Sequence, residues 1–138
     1  MRLFNLDELT EGQLLTEQLV ITRELVDGFM LLTGDQALVH VDTLHAQRLG
    51  FADCIAHGFL VGSGYSRLLG MFLPGANTVI QKVHLDMVRP VFIGDTITYQ
   101  VRVDRIILAV KCVQLILSAS NQAGQVINKG IAVCKFLS

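Results

Sequence analysis

A carboxylate and an imidazole lie five residues apart in Thr33-Gly34-Asp35-Gln36-Ala37-Leu38-Val39-His40. Asp35 can accept a proton and His40 can accept or relay one, so together they have the chemistry to activate a water. Side chains that share a helical face are three or four residues apart. A spacing of five therefore brings these two together only where the chain leaves the helix and turns. Gly34 predicts that exit, since a glycine just past a helix takes up the left-handed conformation that ends it. By residue type alone the plainer reading is the commoner one: a turn-capping aspartate beside an ordinary loop histidine.

Periodicity supplies the elements that would position the pair. Thr22 is a helix N-cap, and Leu25, Val26, Phe29 and Leu32 recur at i, i+1, i+4 and i+7, which predicts an amphipathic helix running up to Gly34. Asp42 or Thr43 caps a short second helix, Leu44 to Leu49, closed by Gly50. After the connector 51–56, residues from about His57 to Gly70 are apolar or small on nearly every side. That predicts a helix buried all round, ~21 Å long at ~1.5 Å per residue. Gly62 and Gly64 weaken it by ~1 kcal/mol each relative to alanine, which is tolerable where something packs close to the backbone.

The rest is strand. Gln13 to Ile21 is β-compatible, and Val79 to Val88 alternates. Ile97, Tyr99, Val101 and Val103 share one face, and so do Val113, Leu115, Leu117 and Ala119 within Val110 to Ser120. Asn121 to Gly124 turns the chain into a last strand, Val126 to Leu137, in which Gly130 marks a candidate bulge. Short connections predict antiparallel pairing of consecutive strands. The fold class is α+β: one domain over 1–138, with an antiparallel five-stranded sheet wrapped around a long buried helix.

Of the 138 residues, 51% are hydrophobic and 17% charged, an imbalance that predicts an apolar face buried against a second copy. A net charge of -1 gives no footprint for nucleic acid or an acidic membrane surface, and no apolar run reaches the roughly eighteen residues a membrane helix needs. Asp7 and Glu8 come too early for a secretory leader. Cys54, Cys112 and Cys134 are odd in number and lack metal-ligand spacing, so the expectation is buried free thiols, no metal, no cofactor and a reducing, cytoplasmic setting.

Phe29-Met30-Leu31-Leu32-Thr33-Gly34-Asp35 followed by His40 resembles the signature of MaoC-like (R)-specific enoyl-CoA hydratases. The likeness continues through Ala56-His57-Gly58-Phe59-Leu60-Val61-Gly62-Ser63, Ser66 to Gly70, Leu73-Pro74-Gly75 and Arg89-Pro90-Val91-Phe92-Ile93-Gly94-Asp95. It implies a hotdog fold, a homodimer, and hydration or dehydration of an acyl-CoA or acyl-carrier-protein thioester, with Asp35 and His40 as catalytic residues and Ser63 facing substrate. The family's Asn-Pro is Ala37-Leu38 here, which frees the loop backbone and removes a bracing amide.

In such a reaction the thioester oxygen gains charge and needs preorganised donors. The N-terminus of the long helix near Gly58 offers them, so Gly58 is the expected substrate-binding amide. His57, opening that helix, invites a catalytic reading, but a structural ring bonded to nearby backbone is the preferred one. Ser63 has an equal claim to bonding back onto its own helix. His45 and His84 read as polar-face residues, and Arg67 as a group serving either the dimer or the pantetheine phosphates. Two further functions fit the same chain: a hotdog thioesterase, with water attacking C1 and not C3, and a non-catalytic acyl-thioester-binding subunit.

Overall fold

Alternation puts every second residue of a strand on one face, and in β3 (Thr96–Ile107) and β4 (Cys112–Ser120) those residues form the floor of the core. Ile97, Tyr99, Val101 and Val103 are buried, opposite Val113, Leu115, Leu117 and Ala119. Val101 pairs with Leu117 and Val103 with Leu115. A computed structural model describes residues 1–137. Around this centre lie β1 (Leu14–Val20), α1 (Arg23–Thr33), α2 (Leu38–Val41), α3 (Thr43–Arg48), α4 (Gly58–Met71), β2 (Thr78–Met87) and β5 (Val126–Phe136). The sheet is antiparallel with order β1-β3-β4-β5-β2. Among the described residues no helix is long and apolar enough to cross a membrane.

The α4 helix lies on the inner face of the sheet through Leu60, Val61, Tyr65, Leu68 and Leu69. These positions form one stripe, because a sheet covers a helix from one side only. The expectation of burial all round is therefore corrected for the single chain: Ser63, Ser66 and Arg67 face outward, and Phe59 is 83% exposed. Gly64 does admit a close neighbour. A Cβ there would collide with the Tyr99 ring, whose hydroxyl donates to the Val61 carbonyl. Tyr65 meets Tyr99 edge-on at 5.0 Å and donates to Asn128 Oδ1 at 2.7 Å. Burial pushes the Tyr99 hydroxyl up to about 12 and raises Tyr65 further, with Tyr99 adding to the latter. Both therefore remain donors.

Three other expectations change. The β2 strand does not pair with β3, which follows it; the chain crosses over and β2 pairs with β5, Leu85 opposite Gly130. Gly130 is not a bulge, for the register breaks fall between Ile80 and Lys82, Val103 and Arg105, and Ala119 and Ser120. Its role is close approach, since a Cβ would run into the His84 carbonyl oxygen. On α1 the apolar stripe is Leu25, Val26, Phe29 and Met30, while Leu32 points outward at 83% exposure. All three cysteines are buried and free, as the sequence implies.

The two glycines separate two costs. Gly64→Ala gains ~1 kcal/mol of helix propensity, but displacing a packed tyrosine ring costs ~1–3 kcal/mol, so the net loss should reach ~2 kcal/mol. Gly130→Ala must push adjacent strands apart and should be worse. Urea unfolding of both variants checks the order, and equal stabilities would contradict it.

Candidate active site

The loop that follows α1 is shaped by its own short-range bonds. Thr22 Oγ1 caps α1 by accepting from the Leu25 N–H at 3.2 Å. At the other end Gly34 sits at φ 76°, its N–H donating to the Met30 carbonyl. Thr33 Oγ1 donates to the Phe29 carbonyl at 2.7 Å and accepts from the Asp35 N–H at 3.2 Å. Asp35 Oδ1 then accepts from the Ala37 N–H at 3.1 Å, an Asx turn. One turn of helix, α2, follows where the sequence indicated loop, and it carries His40 inward.

His40 Nδ1 lies 2.7 Å from the Ile55 carbonyl oxygen. A carbonyl only accepts, so Nδ1 bears the hydrogen and Nε2 keeps a free lone pair. The Ile55 N–H donates to the Val39 carbonyl at 3.2 Å, Ile55 bridges to Phe92, and the Ala56 N–H donates to the Val91 carbonyl at 2.7 Å. The connector is thus held by the α2 turn on one side and by the chain entering β3 on the other.

His57 caps α4, and its ring lies between Phe29, at a centroid distance of 4.8 Å, and His40, at 3.8 Å. Nε2 is 3.0 Å from the Asp35 carbonyl oxygen. One carboxylate oxygen of Asp35 and one ring nitrogen each of His40 and His57 lie within 4.8 Å of one another. The carboxylate is exposed while both rings are buried. A metal is poorly served by this trio. One nitrogen of each ring already faces a backbone carbonyl, His40 Nδ1 that of Ile55 and His57 Nε2 that of Asp35.

Gly58, the first residue of α4, lines a cavity of about 300 Å³ with Phe51, Ile55, Val61, Met87 and Asn128. A Cβ at Gly58 would touch only the Met87 side chain, at 3.7 Å or more. Ser63 is not gathered to the pair: it lies on the outward side of α4, and its hydroxyl donates to the Leu60 carbonyl at 2.6 Å. The His84 ring contacts the Asp86 carboxylate at the surface, and Arg67 lies over the Phe72 ring. Asp53, whose carboxyl is lowered by the Cys54 N–H and the Thr43 hydroxyl, braces the start of α3. His57 is thus bonded to backbone, as the sequence led one to expect, but the sequence did not reveal that the backbone is that of Asp35 or that the ring packs against His40.

The sequence model of the family described as "MaoC like domain" matches residues 7–121. The chain belongs to the MaoC-like domain family. Relatives of this MaoC-like protein include an (R)-specific enoyl-CoA hydratase of Rhodospirillum rubrum, 32% identical over 91% of this chain and 87% of the relative. A mitochondrial 3-hydroxyacyl-(acyl-carrier-protein) dehydratase of Solanum lycopersicum is 35% identical over 66% of this chain and 54% of that protein. The MaoC-like chain thus spans about half the length of that relative and of several other curated relatives it matches. Among solved structures, an (R)-hydratase from A. caviae involved in PHA biosynthesis superposes with a TM-score of 0.88 at 30% identity, covering 94% of this chain and 98% of that one. The sheet and central helix are the hotdog fold that the resemblance implies.

The departure at Ala37-Leu38 has a definite geometry. Ala37 is extended at φ -54° and ψ 138°, a conformation open to a residue preceding proline. Leu38 is the first residue of α2, where proline is favoured. Leu38→Pro should therefore be accommodated and stabilise the fold by ~0.4–1 kcal/mol through the unfolded state. Combined with Ala37→Asn it should leave turnover unchanged or raise it. Urea unfolding and a hydration assay check both, and a large loss of turnover in a stable variant would show that this loop needs its own sequence.

Proposed function

We propose that the protein is an (R)-specific hydratase and dehydratase of acyl thioesters, adding water to trans-2-enoyl thioesters or removing it from (R)-3-hydroxyacyl thioesters carried on CoA or an acyl-carrier protein. The observation that carries this reading is the convergence of the Asp35 carboxylate with the His40 ring within 4.8 Å. In His40, moreover, the bond to Ile55 leaves Nε2 as an acceptor. One water donating to both groups is oriented and polarised at once.

In hydration the water oxygen bonds to C3 while Asp35 takes its proton, and the Asp35–His40 pair returns one proton to C2. The elements of water end on C3 and C2, and neither residue is consumed. Negative charge that develops on the thioester oxygen is met by the free N–H groups at the start of α4, with Gly58 as the donor. The cavity beside Gly58 supports this assignment, because it gives the acyl thioester room next to that amide. Ser63 can donate to a substrate only by releasing the Leu60 carbonyl.

The assembly proposed is a homodimer. Leu31, Leu32 and Phe59 are each more than four-fifths exposed. They belong to the end of α1 and the start of α4, the two elements next to Asp35 and His57. A second copy covering them would also close the site against solvent. The three buried free thiols support a reducing compartment, in keeping with a cytoplasmic setting.

Two measurements test this reading. Asp35→Asn and His40→Gln should each lower kcat by about 10²–10⁴, the range for positioned acid–base groups, with the double variant scarcely worse than the poorer single one. The assay follows loss of the conjugated enoyl thioester across a panel of chain lengths. Release of free thiol in place of hydration would favour the thioesterase. Sedimentation at micromolar concentration should give a dimer; a compact, active monomer would show that no second copy is needed to close the site.

A further inference from the structure

One buried ring is left unused by the chemistry above. His57 is 2% exposed, packed between Phe29 and His40, and a carbonyl faces its Nε2, so that nitrogen carries the hydrogen. Its Nδ1 is then a bare acceptor, and among the described residues it is the one buried side-chain nitrogen or oxygen without a partner. An unpaired buried acceptor weakens a fold, and an apolar ring of similar size would fill the same slot between two aromatic neighbours. Stability alone therefore does not account for an imidazole here. What imidazole supplies and phenylalanine lacks is one donor, aimed at the main chain of Asp35.

That donor has a distinctive place. Every other hydrogen bond of Asp35 among the described residues reaches no further than two residues along the chain: the N–H goes to Thr33 Oγ1 and the carboxylate accepts from the Ala37 N–H. The His57 bond alone ties Asp35 to a residue distant in sequence, and it does so from the residue next to Gly58. It thereby sets the distance between the group that handles the proton and the amide that would hold the thioester oxygen. The same ring packs against that of His40, with their centroids 3.8 Å apart.

We infer that His57 is a positioning residue for the hydration step, its Nε2–H registering Asp35 against the N-terminus of α4 while its ring packs against that of His40. This rests on the reading of Asp35 and His40 as the catalytic pair. The test compares His57→Phe, which keeps a ring and loses the donor, with His57→Gln, which keeps a donor and loses the ring. Asp35→Asn is run beside them, with trans-2-butenoyl-CoA as substrate. His57→Phe should melt no lower than the parent and keep its KM within about twofold, while kcat falls by roughly 10–100-fold, the scale of a small misplacement of a reacting group. His57→Gln should recover some of that kcat.

Parental kcat in His57→Phe, alongside an inactive Asp35→Asn, would overturn the positioning role and leave the proposed reaction standing. Parental kcat in Asp35→Asn would overturn both. A His57→Phe chain that fails to fold, or two His57 variants that lose kcat equally as their melting temperatures drop, would make His57 a structural residue and end the inference.

Discussion

Three consecutive residues, Ile55-Ala56-His57, are gripped from two directions, and the site depends on that grip. The Ile55 amide and carbonyl engage Val39 and the His40 ring, while the Ala56 amide engages Val91. A short extended segment is thereby fixed between the turn that delivers the imidazole and the chain entering β3. Because α4 begins at the next residue, the same grip sets where the helix N-terminus points. Acid and imidazole come from one stretch of sequence and the helix amides from another, and this segment makes them one rigid unit. Backbone hydrogen bonds suit the task, since they leave little rotational freedom and do not depend on which side chains surround them.

The core beneath is held by a different principle. The β3 and β4 faces contribute apolar side chains at register positions opposite one another, so burial there is continuous and needs no polar anchor. The exceptions are the two tyrosines, each of which carries its hydroxyl inward to a single acceptor, Val61 for one and Asn128 for the other. Each bond reaches from one layer to the other. The Tyr99 hydroxyl runs from the sheet to α4 and that of Tyr65 from α4 to the sheet, so the pair pins the helix along its axis, which non-directional apolar packing does less well.

Local features were legible in the sequence. Thr22, Gly34 and Asp42 stand at helix ends because capping is decided within a few residues, and the β3 and β4 faces follow from strict alternation. What failed was long-range. Nothing in the composition of β2 says that it pairs with β5, or that Gly130 is small because His84 lies against it. The one-sidedness of α4 was hidden because its outward face begins with the apolar Phe59 and its polar stripe, Ser63, Ser66 and Arg67, consists mostly of small side chains. Asp35 and His40 were singled out by residue type and spacing, and the resemblance supplied their expected role. His57, twenty-two residues beyond Asp35, joins them only through the path of the intervening connector.

The inward-turned tyrosines also set an alkaline ceiling on the molecule. A phenol released to solvent ionises near its ordinary value of 10.0, whereas Tyr99 in place holds its proton up to about 12 and Tyr65 holds it higher still. Below the solvent value both states carry the proton and the folded chain keeps its full advantage. As the medium becomes more basic than that, hydroxide draws protons from the opened chain first and shifts the balance toward it. Two hydroxyls that lock the helix in neutral solution thus become, in strong base, the groups through which the fold is titrated apart.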